Sequence, residues 1–182
     1  IQAHFDQTYR SLRFDERRTK GEVSIAKPGK MRWDYALPKG RVIASDGKTI
    51  TLYDPEDRQA LVAKQPKKES LPVVVSFLAG HGRLRDSFKI SLFKDERPTS
   101  GSVILRLEPR KSVPNVALIY LTVKIGNPTL VVAMKIIDSL AGENEIRFSD
   151  IAIGRTLSKS VFEFKPPKGT PIVSMSSIDT KM

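Results

Sequence analysis

The sequence contains no cysteine, one tryptophan and two histidines among 182 residues. Without thiols there is no disulfide, zinc ribbon, iron–sulfur site or thiol nucleophile, and no cysteine to carry an N-terminal lipid. His4 and His81 lie far apart and lack a third ligand-like neighbour, so no metal site is expected. No run of about 18 apolar residues occurs, which leaves no candidate membrane-spanning helix. No G-x-S-x-G, P-loop or dinucleotide fingerprint is present. Gly80-His81-Gly82 fits a helix stop better than a phosphate cradle. Asp15-Glu16 and Asp95-Glu96 each lie close to arginine and read as solvated turns. No catalytic residue, cofactor or metal is therefore expected. The chain starts at Ile1 with neither Met nor a charged–apolar leader, and the expectation is a processed piece whose export signal is gone.

What is present suits one globular domain over residues 1–182. Hydrophobic residues make up 40%, and 31 basic side chains against 20 acidic ones give a net charge of +11. That charge favours acidic proteins, anionic headgroups or nucleic acid. Met31-Arg32-Trp33-Asp34-Tyr35 interleaves aromatics with charge, as a base-stacking surface would. The basic residues are otherwise spread along the chain, and the densest run is KQPKK at 64–68. Spreading of this kind argues against nucleic acid.

Apolar alternation predicts strands over 18–26, 31–35, 42–45, 49–53 and 58–64. Later strands are predicted over 88–94, 102–108, 116–125, 129–137, 145–153 and 161–164. Asp46-Gly47 between two apolar runs is a hairpin signal, because both residues tolerate positive φ. Asp54-Pro55-Glu56-Asp57 is a turn with proline where its fixed φ fits. Residues 70–80 (SLPVVVSFLAG) break the period: Pro72 suits a first helical turn and Gly80 a stop, although three consecutive valines also suit a strand. A second short helical turn is predicted over 84–87, and the polar tail 174–182 is expected to fray. Strands 116–125 and 129–137 are apolar on both faces, so something must cover the second face: a helix, a partner, or a lined cavity.

From Gly21 to Asp57 the chain resembles the periplasmic outer-membrane lipoprotein carrier family, the LolA-like proteins. The matching pieces are Lys27-Pro28-Gly29, Met31-Arg32-Trp33-Asp34-Tyr35, Ser45-Asp46-Gly47-Lys48 and Tyr53-Asp54-Pro55. They continue through Ser76-Phe77-Leu78-Ala79-Gly80 and end in FEFKPPKG at 162–169. The resemblance implies a mainly β fold, an incomplete antiparallel β-barrel of about ten to eleven strands, with a lid of short α-helices over an apolar cavity. It implies a non-enzymatic, monomeric periplasmic chaperone. Such a carrier takes triacylated lipoproteins from an inner-membrane ABC transporter and passes them to an outer-membrane receptor lipoprotein. The other reading is a cell-envelope sensor or interaction module on the same half-barrel. Family members open with an N-terminal lid helix, and here the sequence begins close to the first strand.

Each buried CH₂ is worth ~0.8 kcal/mol, so three acyl chains gain tens of kcal/mol gross, and a carrier must capture only part of that to release them. The candidate lining from the first strands is Val23, Ile25, Trp33, Tyr35, Ile50 and Leu52. From the later strands it is Ile90, Leu92, Leu105 and Leu107, followed by Ile119, Leu121, Met134 and Ile136. Each position reads equally as ordinary core, because alternation marks burial rather than ligands, and a one-residue slip reverses every face. Val74, Phe77 and Leu78 are the expected inner face of the lid, and Met31 is placed at the mouth, where a flexible thioether tolerates varied cargo. The resemblance assigns the lid latch to Lys27, where better-known members have arginine; lysine lacks the planar fork.

Overall fold

Alternation along the chain becomes twelve strands in a computed structural model that describes residues 1–12, 15–37, 39–64, 83–94 and 99–174. The first six are β1 (Gln2–Arg10), β2 (Arg17–Ala26), β3 (Lys30–Leu37), β4 (Val42–Asp46), β5 (Thr49–Asp54) and β6 (Gln59–Lys64). The rest are β7 (Phe88–Phe93), β8 (Ser102–Pro109), β9 (Leu118–Lys124), β10 (Leu130–Ile137), β11 (Glu143–Ala152) and β12 (Ile172–Ser174). The hydrogen-bonded order is β12-β6-β5-β4-β3-β2-β1-β11-β10-β9-β8-β7, an open sheet whose order ends at β12 and β7. The fold is thus mainly β, as expected. Among the described residues helix is confined to α1 (Leu84–Ser87) and a 3-10 turn, Lys159–Phe162. The insert expected as the main lid helix lies outside the described residues, with Val74, Phe77 and Leu78.

The chain divides into two compact units: Ile1–Ala3, Gly21–Gly82 and Ile151–Met182 form the first, and His4–Lys20 with Arg83–Asp150 the second. In the first unit, tight turns set the register of β3 to β6. Asp46 Oδ1 accepts from the amides of Lys48 and Thr49, both at 2.7 Å, while Gly47 takes φ +92°. Gly47 alone supplies the positive φ expected of the Asp-Gly pair; Asp46 contributes its carboxylate instead. Ser45 Oγ donates to the Gly29 carbonyl at 2.9 Å and so joins this turn to the one between β2 and β3. Asp54 Oδ1 accepts from the Glu56 amide at 3.0 Å and closes the Pro55 turn.

The C-terminal segment corrects one expectation. Residues 161–164 do not form a strand. Ser158 Oγ accepts from the Ser160 amide at 3.4 Å and starts the 3-10 turn, whose Val161 and Glu163 amides donate back to Ser158 and Ser160. Pro166 and Pro167 then remove two ladder donors. The segment lies across one face of β3 to β5. Phe162 is buried, and its turn packs against β3 and β4. Phe164 stacks at 5.7 Å on Tyr53. Arg32 pins it: Nη1 donates to the Val161 carbonyl at 3.2 Å, the guanidinium sits 5.7 Å from the Phe164 ring, and Nε bonds Asp34 at 2.7 Å. Beyond it, β12 pairs in parallel with β6. Neither β1 nor β12 was anticipated as a strand.

In the second unit β7 to β11 pair antiparallel in sequence order, with a register shift between Val131 and Ala133 that inserts one residue into β10. β1 is tied to this unit by Gln7 Nε2 donating to Asn144 Oδ1 at 2.8 Å and by Tyr9 Oη reaching Asp138 Oδ2 at 3.5 Å.

Candidate functional site

Directly paired residues in an antiparallel ladder point to the same face. In the second unit the register therefore assembles two adjacent rows. Ile90, Leu107, Ile119 and Ile136 form one, and Leu92, Leu105, Leu121, Met134 and Ile146 the other. All eight lining candidates from these strands fall in the two rows. Val103, Val123 and Val131 add a third row on the same face. Leu107, Ile119, Leu121 and Met134 are buried at the centre, whereas on β7 Ile90 is 39% and Leu92 58% exposed. The opposite face carries Lys89, Arg106, Glu108 and Lys135, along with Phe93 stacked on Tyr120 at 4.7 Å.

In the first unit the register gives a comparable face. Trp33, Ile43, Leu52 and Leu61 make one row, and Met31, Ser45, Ile50 and Ala63 the next. Met31, Trp33 and Ile50 are buried, and Leu52 is half-buried. The other face of these strands is the one under Phe162 and Phe164. Val23 and Ile25 share one face of β2 by alternation and are both buried. Tyr35 lies two residues beyond Trp33, half-buried, with the Arg41 guanidinium 5.1 Å from its ring. Burial pushes its phenol up, and the arginine charge opposes that only in part. Lys27 sits exposed in the turn after β2, with no hydrogen bond or ion pair to any described residue. The lid it was expected to latch lies outside the described residues.

The candidate lining left out Ile43, Leu61 and Ala63, and also Val103, Val123, Val131 and Ile146. Ile43 stands in an unbroken apolar run, Val42-Ile43-Ala44, where period alone assigns no face. The rows consist almost wholly of aliphatic side chains; most are already buried, and the apolar surface meets solvent at Ile90 and Leu92. Among the described residues no three His, Asp or Glu side chains are placed to hold a metal, and no helix is long and apolar enough to cross a membrane.

Residues 1–165 match the family model described as outer membrane lipoprotein carrier protein LolA. A protein of Chromobacterium violaceum named outer-membrane lipoprotein carrier protein is 30% identical, over 96% of this chain and 81% of its own length. One of the same name from Neisseria gonorrhoeae is 28% identical over 96% of this chain and 80% of its own. The crystal structure of an uncharacterized conserved protein from Thermus thermophilus shares the fold, with a TM-score of 0.55 at 11% identity, covering 96% of this chain and 90% of that one.

Proposed function

The chain belongs to the outer membrane lipoprotein carrier (LolA) family, and on that premise we propose that it is a periplasmic carrier that shelters lipoprotein acyl chains against its apolar sheet faces. The cross-strand rows of Ile, Leu, Val and Met support this most directly. The rows meet solvent at Ile90 and Leu92 on β7, an apolar end against which an acyl chain can lie, and removing apolar area from water supplies about 25 cal/mol per Å². Nothing in such binding makes or breaks a bond, and the protein works without catalysis.

The partners follow from the same premise: an inner-membrane ABC transporter that releases triacylated lipoproteins, and an outer-membrane receptor that accepts them. Tight capture would prevent delivery. The half-covered β7 margin, where Ile90 and Leu92 meet solvent, offers a place where a chain binds with partial burial. Residues 1–182 act in this reading as one carrier domain. Lys27 holds the lid, with fewer fixed hydrogen bonds than arginine would make.

The test is titration of the full chain with a fluorescent fatty acid, and recovery of the protein with a lipoprotein released from spheroplasts. Uptake that saturates and is displaced by unlabelled fatty acid supports the reading. Trp33→Glu, which places a charge among Ile43, Leu52 and Leu61, is expected to abolish uptake. No uptake by the folded chain sinks the proposal.

A further inference from the structure

Four connections meet at one end of the second unit, and their hydrogen bonds place them side by side. The end of β1 adjoins the β10–β11 turn through Tyr9 Oη and Asp138. The β10–β11 turn adjoins the β8–β9 connection through the Ala117 amide, which donates to the Ile137 carbonyl at 2.8 Å. The β8–β9 connection adjoins α1, because the Arg110 amide donates to Ser87 O at 2.8 Å and its Nε to Arg85 O at 3.1 Å.

Two leucines stand out along this rim. Leu12 is 90% exposed and Leu140 67%, more than any other large apolar side chain among the described residues. Beside them Arg83, Arg85, Arg110 and Lys111 are all exposed, and none has a carboxylate partner among the described residues. The rim's own carboxylates are mostly engaged. Glu16 is clasped by Arg10 and Arg18, both at 2.6 Å, and Asp138 Oδ1 accepts from the Leu140 and Gly142 amides. Asp15, Asp86 and Glu143 are left.

We propose that this rim docks on an anionic phospholipid surface, with Leu12 and Leu140 entering the headgroup layer and the four basic side chains meeting phosphates. Exposed aliphatics at loop tips, flanked by cations with no carboxylate partner among the described residues, suit a fluid interface. Two leucines on separate turns make no continuous patch for a rigid protein partner. The inference uses only the rim and does not depend on the acyl-carrier reading.

The experiment is flotation of the full chain with vesicles of equimolar phosphatidylglycerol and phosphatidylcholine, against phosphatidylcholine alone. Binding is expected only to the anionic vesicles and weakens as salt is raised. A charge near such a surface contributes about fivefold to partitioning, so R83Q/K111Q is expected to lower it about twenty-five-fold. L12S/L140S is expected to lower it by about tenfold or more. All four side chains are solvent-exposed, so both double variants keep the wild-type fold and fatty-acid uptake. Equal binding to phosphatidylcholine, or wild-type binding by either double variant, overturns the proposal. Failure to bind any vesicle overturns it too, and leaves an acidic protein face as the occupant.

Discussion

Replacing Leu92 with serine separates a ligand-binding surface from ordinary core. Leu92 shares its row with Leu105, Leu121 and Met134, yet 58% of it remains exposed on the outermost strand of the unit. Full burial of a leucine side chain is worth about 2 kcal/mol. The part already covered contributes less than about 1 kcal/mol to stability, so Leu92→Ser is expected to shift the urea midpoint only slightly. The part still exposed is available to an acyl chain. Covering it adds about 1 kcal/mol of binding, so the variant should bind a fluorescent fatty acid about sixfold more weakly. Leu107 sits in the neighbouring row with no exposed surface, and Leu107→Ala should cost about 2–5 kcal/mol of stability whether or not a ligand ever binds. Both quantities come from one denaturation series and one displacement titration. Undiminished fatty-acid affinity in a folded Leu92→Ser protein would show that hydrocarbon does not lie along this row.

Other consequences are as accessible. Arg32→Met removes the ion pair to Asp34 and the donor to the Val161 carbonyl, and should cost about 1 kcal/mol, discounted because both partners are partly exposed. Limited proteolysis should then cut faster between residues 155 and 174; an unchanged rate removes Arg32 as the pin. Gly142→Ala drives a methyl group into the Asp138 carboxylate and to 2.9 Å from Tyr9 Oη, which should lower stability by about 1–3 kcal/mol on thermal unfolding. A wild-type melting curve contradicts that packing. Hydrogen bonds from Arg18 and Arg10 hold the Glu16 carboxyl below its ordinary value. Its small contribution to stability is therefore present above the ordinary carboxylate value and is lost as pH falls through the depressed one. Carbon-13 NMR of that carboxyl should show the lowered midpoint, and Arg18→Gln should raise it.

The strands were legible because their faces differ chemically, and even the four-residue helix at 84–87 was readable in position. The later strands were read best: although two of them are apolar on both faces, every lining candidate between Ile90 and Ile136 falls on one face. The C-terminal segment was misread because Val161, Phe162 and Phe164 look strand-like locally. What decides their conformation is distant, since Arg32 is 129 residues away in sequence. β1 was hidden for the opposite reason: Gln7 and Tyr9 interrupt its apolar face after Ala3 and Phe5, and they serve hydrogen bonds to Asn144 and Asp138. Register, which assigned Ile43 and Leu61 to the Trp33 face, is a property of pairs of strands and has no signature in either strand alone.

The docked C-terminal segment also covers one side of β3 to β5, so on the acyl-carrier proposal a guest has to lie against the other, among the buried Met31, Trp33 and Ile50. By papering one surface with its own two phenylalanines, the molecule spends that side internally. Sidedness is thus written into the tail of the chain: loosen the tail, and the same strands would offer hydrocarbon a second, unintended bed.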